Sequence, residues 1–346
     1  MTALTLVAPA PARPPGPRWL LRLHRPALYI WLGLVAVLAV GLVWLWGPLT
    51  DASAEAWRQY RADCADTDPC TYDQNAIVRY KSVYNYLTSA LTALPFLVAA
   101  WAGAALFGRD LENGTAHLAW TQGISPTRWL ATKLAVPAAA VAAGTGVLVT
   151  LHHLMWAASK GRIDTAKSWY DNVTLHTNGP TTVAFALAGL AGGAVAGLLL
   201  RRTLPALGVA LGIAAAVRVA ADQAMPHLWP GVTKVTGLST GPDGAGLEIS
   251  SGLVTSGGGH VADPGCLSPR PEVCTAMYAR LDATGFYDTY HPESHYWPLQ
   301  LTTTALVLAV AAALTVAAFT LLRRSTATRP GDSRGDRPRG GGENAV

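Results

Sequence analysis

His291 and His295 stand four residues apart in HPESH, with Glu293 between them. The spacing is one that a metal site could use. Pro292 directly follows His291, however, and no third ligand is evident. Tyr296-Trp297-Pro298 then reads as an aromatic belt opening a helix at a membrane interface. Four cysteines fall as two close pairs, Cys64/Cys70 and Cys266/Cys274. Both pairs fit local disulfides, with metal ligation or free thiols as the alternatives. Asp63, Asp66, Asp68 and Asp73 surround the first pair without the ligand spacing of a calcium loop, and read as solvated carboxylates. His152 and His153 are adjacent, so on a helix they point about 100° apart and suit packing better than joint ligation.

Arg218 and Asp222 form the one charge pair inside an apolar run, four apart on a helical face. Such residues face a bundle interior or a polar path. A structural ion pair and a role in a translocation path both stay open. Catalytic motifs are missing. The chain holds no G-x4-G-K-[ST] phosphate loop, no G-x-S-x-G and no H-E-x-x-H. Nothing argues for an enzyme, and none of the cofactors those motifs bind is expected.

The elements that must position these residues are set by composition. The 346 residues are 51% hydrophobic and only 14% charged, where a soluble domain has about 25%. Six apolar runs of about 20 residues can each cross the hydrocarbon core as a helix: 27–46, 85–107, 134–157, 180–200, 204–224 and 299–322. The fold class is an all-α integral membrane protein. Ala52-Ser53-Ala54 resembles a cleavage site, but the apolar run before it exceeds a signal core of roughly 7–15 residues, so the first helix is expected to stay. It ends at Trp44, Trp46, Gly47 and Pro48, interfacial aromatics and then a helix breaker.

The net charge of +5 is a topology signal. Segments 1–26, 108–133, 201–202 and 323–346 hold 15 Lys and Arg in 78 residues, against 10 in 133 for 47–84, 158–179 and 225–297. Arg13, Arg18, Arg22 and Arg25 precede the first span, and Arg323 and Arg324 follow the last. Positive residues stay inside, so both termini and the 108–133 loop are expected in the cytoplasm. The chain then divides into a disordered basic tail (1–26), a six-helix domain (27–322) and a second disordered tail (323–346). The outer loops carry the two cysteine pairs.

Residues 108–133 are longer than a connector needs and keep helical grammar. Ser125-Pro126 reads as an N-cap and first-turn proline. Leu111 and Leu118 flank Gly114-Thr115 in a weakly amphipathic segment. The loop reads as a docking element for a soluble partner. In the fourth span Gly189, Gly193 and Gly197 recur every four residues, the small-residue spacing of close helix packing in membranes; the neighbour can be in the same chain or a second copy. Residues 225–297 begin Gly/Ser/Thr-rich and read as a long outer loop.

Glu112-x-Gly114-Thr115, Leu118-x-Trp120-Thr121-Gln122, Ser125-Pro126-x-Arg128-Trp129 and Lys133 resemble the cytoplasmic signature of ABC type-2 permeases, especially actinobacterial ones. His291-Pro292-x-Ser294-x-Tyr296-Trp297-Pro298-Leu299-Gln300 resembles the same group before its last span. The resemblance implies a transport subunit in a bacterial plasma membrane, paired as a homodimer or heterodimer. It implies a cytoplasmic ABC ATPase partner that carries the ATP and Mg, and a coupling helix at 108–133. Glu112, Gly114, Thr115 and Arg128 are then the residues expected at the ATPase contact. The cargo expected is a hydrophobic or amphipathic compound moved outward. The alternative is a membrane-anchored enzyme or sensor using 225–297 with His291, Glu293 and His295.

Overall fold

The computed structural model describes residues 17–64 and 70–327. Among them, six helices are long and apolar enough to cross a membrane: Arg25–Asp63, Gln74–Glu112, Pro126–Ser159, Thr181–Leu200, Thr203–His227 and Glu293–Thr326. Each corresponds to one of the six runs expected from the sequence, the fourth starting one residue later, after Pro180.

The first helix corrects two expectations. α1 (Pro17–Trp44) starts inside the stretch expected to be a disordered tail, and it does not stop at Pro48. The chain passes through a π-turn, Leu45–Leu49, straight into α2 (Thr50–Asp63). The wider turn resets the pairing where Pro48 has no N–H to give. Thr50 closes the gap, its N–H reaching Leu45 O and its Oγ1 donating to the same carbonyl at 2.7 Å. The Cys64–Cys70 disulfide joins α2 to α3 (Gln74–Trp101). Asp66 and Asp68 lie outside the described residues. Asp73 caps α3, its Oδ1 accepting from Ala76 N–H at 3.0 Å.

A second π-turn, Ala102–Gly108, leads from α3 into α4 (Arg109–Glu112) and α5 (Thr115–Thr121). The long α6 (Pro126–Ser159) carries Pro137 within it. After it come α7 (Asn172–Thr177), α8 (Thr181–Leu200) and α9 (Thr203–Ala224).

α8 is the axis of the bundle. Of its apolar window 78% is buried, against 17–50% for the other five helices. A helix apolar on every side belongs in an interior. Its glycine strip packs inside this chain. A Cβ at Gly189 would sit 2.6 Å from Pro95 O, one at Gly193 2.5 Å from Ala102 Cβ, and one at Gly197 2.5 Å from Phe107 Cβ. α3 and its π-turn therefore lie almost backbone to backbone against α8.

Residues 225–297 are no loop, which corrects the all-α class to a mostly helical one. β1 (Val232–Gly237), β2 (Leu247–Thr255), β3 (His260–Val261) and β4 (Ala283–His291) form an antiparallel sheet in the order β1-β4-β2-β3. Val235 pairs with Tyr287 and Leu253 with Phe286. β-Branched and aromatic residues, which suit a pleated half-buried surface, hold the centre while the Gly and Ser residues turn the corners. α10 (Pro271–Arg280) is tied by the Cys266–Cys274 disulfide and lays Tyr278 edge-on to Phe286 at 5.5 Å. The sheet joins the bundle where Leu247 meets Trp156, Trp169, Met225 and Tyr296, the last opening α11 (Tyr296–Ala327). The bundle thus has a sheet end, with both disulfides, and a loop end, with residues 108–133.

Candidate functional site

The 108–133 loop is built as a small rigid body. Gly114 takes φ +71° between α4 and α5, a left-handed conformation that a side chain resists. Thr115 Oγ1 donates back to Asp110 O at 3.1 Å. Ser125 caps α6 by accepting from Arg128 N–H at 3.3 Å, and Pro126 occupies the first turn.

Three ties fasten this body to the spans. Lys133, 7% exposed, pairs with Asp110 and donates to Leu106 O at 3.0 Å. Trp120 meets Trp129 edge-on at 5.7 Å, and Trp129 meets Phe107 in the same way at 6.0 Å. Glu112 Oε2 accepts from Thr203 N–H at 2.8 Å and from Thr203 Oγ1 at 2.5 Å. That places a carboxylate at the N-terminus of α9, where unpaired N–H groups and the helix dipole favour it. The loop is bound to the second, third and fifth spans at once.

Of the residues expected to meet a partner, Thr115 and Arg128 are exposed. Glu112 is exposed but committed to Thr203, and Gly114 shapes the turn. Leu118, 59% exposed, stands out from α5 while Ala116 is fully buried beneath it. The Asp110–Lys133 and Glu112–Thr203 ties escaped sequence reasoning, since their partners are 23 and 91 residues apart.

At the sheet end, Arg218 Nε lies 2.9 and 3.0 Å from the two oxygens of Asp222. The pair has a third member that the sequence did not reveal: His176 of α7 places Nε2 2.7 Å from Asp222 Oδ1. Arg218 also donates to Asn172 Oδ1 at 3.3 Å and lies over the Phe185 ring. Burial pushes the His176 imidazole below its ordinary value, and the Arg218 charge adds to this against the pull of Asp222. Its Nδ1 is buried without a partner among the described residues, so a proton there would find no acceptor among them.

His152 bridges Thr88 Oγ1 and Asn178 Oδ1, each at 3.1 Å, and His153 packs on Tyr296. His291 Nε2 donates to Pro226 O at 3.0 Å, which leaves its Nδ1 to accept from His295 Nδ1–H at 3.2 Å. Glu293 pairs with Lys160 instead of either histidine. Among the described residues no three His, Cys, Asp or Glu side chains are grouped to hold a metal ion.

No curated protein and no solved structure matches the chain. A family model described as ABC-2 membrane transporter related matches residues 32–225, more than half of the chain, running from within the first span to near the end of the fifth and taking in the whole loop. The chain belongs to the ABC-2 membrane transporter related family.

Proposed function

We propose that this chain is the membrane-spanning subunit of an ATP-driven transporter and that a separate ATPase docks on residues 108–133. The observation that carries the reading is the loop itself, which presents Thr115, Leu118 and Arg128 outward while three ties bind it to the spans. A push on such a body moves helices as units, the rigid-body switching that ligand-driven transitions use. Membership of the family supports a transport subunit rather than an enzyme.

Glu112 and Gly114 shape the docking element, and Thr115 and Arg128 touch the partner. The ATPase brings the ATP and Mg. Two permease chains, identical or different, pair in a bacterial plasma membrane with both termini and the loop in the cytoplasm. The cargo is a hydrophobic or amphipathic compound, expelled from the cell.

The test is co-purification of the tagged full chain from its native membrane. A stoichiometric ATPase is expected. Leu118→Asp together with Arg128→Glu should release it while the chain stays inserted. An ATPase retained by that variant, or none found with the native chain, overturns the docking site.

A further inference from the structure

Beside the loop, on the flank turned towards α8 and α11, lies an open cavity of about 600 Å³. Its apolar wall is Leu111, Leu198 and Leu322; its polar wall is His117, Trp120 and Arg201, with Ser325 and Thr326 at the α11 end. Here α8 has just ended and α11 is in its last turns. The cavity therefore sits where apolar helices give way to polar residues, the depth of phospholipid headgroups.

Its donors have no acceptor among the described residues. The Trp120 indole N–H is buried and unpartnered there. Among the described residues no carboxylate lines the cavity, and Asp110 and Glu112, on either side of Leu111, are taken by Lys133 and Thr203. Arg201 is also held at φ +52° at the C-terminus of α8, a position that glycine or asparagine fills at less cost. Ser325 and Thr326 spend their protons on Leu322 O, so their oxygens are left to accept. The wall thus offers a cation and an N–H to a phosphate, two acceptors to a hydroxyl, and leucines to a hydrocarbon chain.

We propose that this cavity binds an anionic phospholipid of the loop-side leaflet, one whose headgroup carries hydroxyls. Arg201 and Trp120 hold the phosphate, Ser325 and Thr326 accept from the headgroup, and Leu198 and Leu322 meet the start of an acyl chain. A lipid so seated lies against Trp120 and steadies the loop from within the membrane. The proposal needs only a membrane-embedded chain, so it does not depend on the ATPase reading.

Native mass spectrometry of the delipidated full chain, titrated with phosphatidylglycerol or phosphatidylcholine, tests it. Phosphatidylglycerol should bind preferentially. Arg201→Asn, which suits the left-handed backbone and so protects the fold, should weaken it about tenfold, the size expected for one charge-assisted hydrogen bond. Trp120→Phe keeps the ring stack and should weaken it less. Arg323→Gln removes a nearby exposed charge and should change little. Equal binding of the two lipids, or equal losses with Arg201→Asn and Arg323→Gln, overturns the site as surface attraction only. Displacement by free glycerol phosphate at concentrations comparable to the lipid overturns the membrane as its source. If Arg201→Asn leaves lipid binding intact and instead releases a co-purifying ATPase, the cavity belongs to the protein partner and the proposal fails.

Discussion

Asp222 stands between a guanidinium and an imidazole, and the imidazole answers to pH. Burial lowers the pKa of His176 in the folded chain, whereas in the unfolded chain it takes a proton below roughly 6.5. The unfolded state then binds more protons, so stability falls as the pH drops below that value. Thermal unfolding of the purified chain should give a lower Tm at pH 5.5 than at pH 7.5, and His176→Asn should flatten the difference; an unchanged slope would show that other groups set it. At the other end, Lys133→Met leaves Asp110 and Leu106 O facing an apolar group. Removing one member of such a part-buried pair costs about 1–3 kcal/mol, and adding Asp110→Asn should recover part of it, read as thermal stability in detergent. Neither tie was visible in the sequence, because partners so far apart in the chain are brought together only by packing. The cap at Ser125 was legible because it acts within one turn, whereas Asp73, read as a solvated carboxylate, proves to cap α3.

At the level of helices, the glycines of α8 and α9 make a controlled pair. Gly193→Ala would press a methyl group against Ala102 Cβ at 2.5 Å and Gly103 N at 2.7 Å, where neither backbone can move away. Overpacking of this kind costs about 1–3 kcal/mol. Gly208→Ala meets nothing within 4 Å and should be neutral or stabilising by about 0.5–1 kcal/mol. Equal Tm values for the two variants would mean that α8 does not pack as seen. The strip itself could be read from its four-residue period, but its neighbour could not, since that period serves a second copy equally well. The sheet was hidden for another reason. Its strands are broken by Gly and Ser, and the β2–β4 register shifts twice, at Glu248/Ser250 and at Val254/Thr255, so no clean alternation marks them.

For the whole molecule, six long apolar runs made the spans legible, because a bilayer demands about 20 such residues from each. Sidedness is testable directly. Cysteines placed by Gln122→Cys and Gly257→Cys, both at exposed positions, should be labelled by an impermeant thiol reagent from opposite faces of the membrane; labelling from one face would overturn the bundle's polarity. The run of helix through Pro48 has a mechanical meaning. Arg25–Asp63 is one column of 39 residues, roughly 60 Å long at about 1.5 Å per residue, while the hydrocarbon core is about 30 Å thick. Its far half, beyond the apolar run 27–46, is longer than that thickness requires and extends on the sheet side, latched to the chain leading into the second column by Cys64–Cys70 and braced by the Arg162–Asp51 pair at 2.8 Å. Pivoting such a column by about 10° at its loop end carries its tip roughly 10 Å, so the pair of columns is a lever that turns a small displacement on one side of the bilayer into a wide sweep on the other.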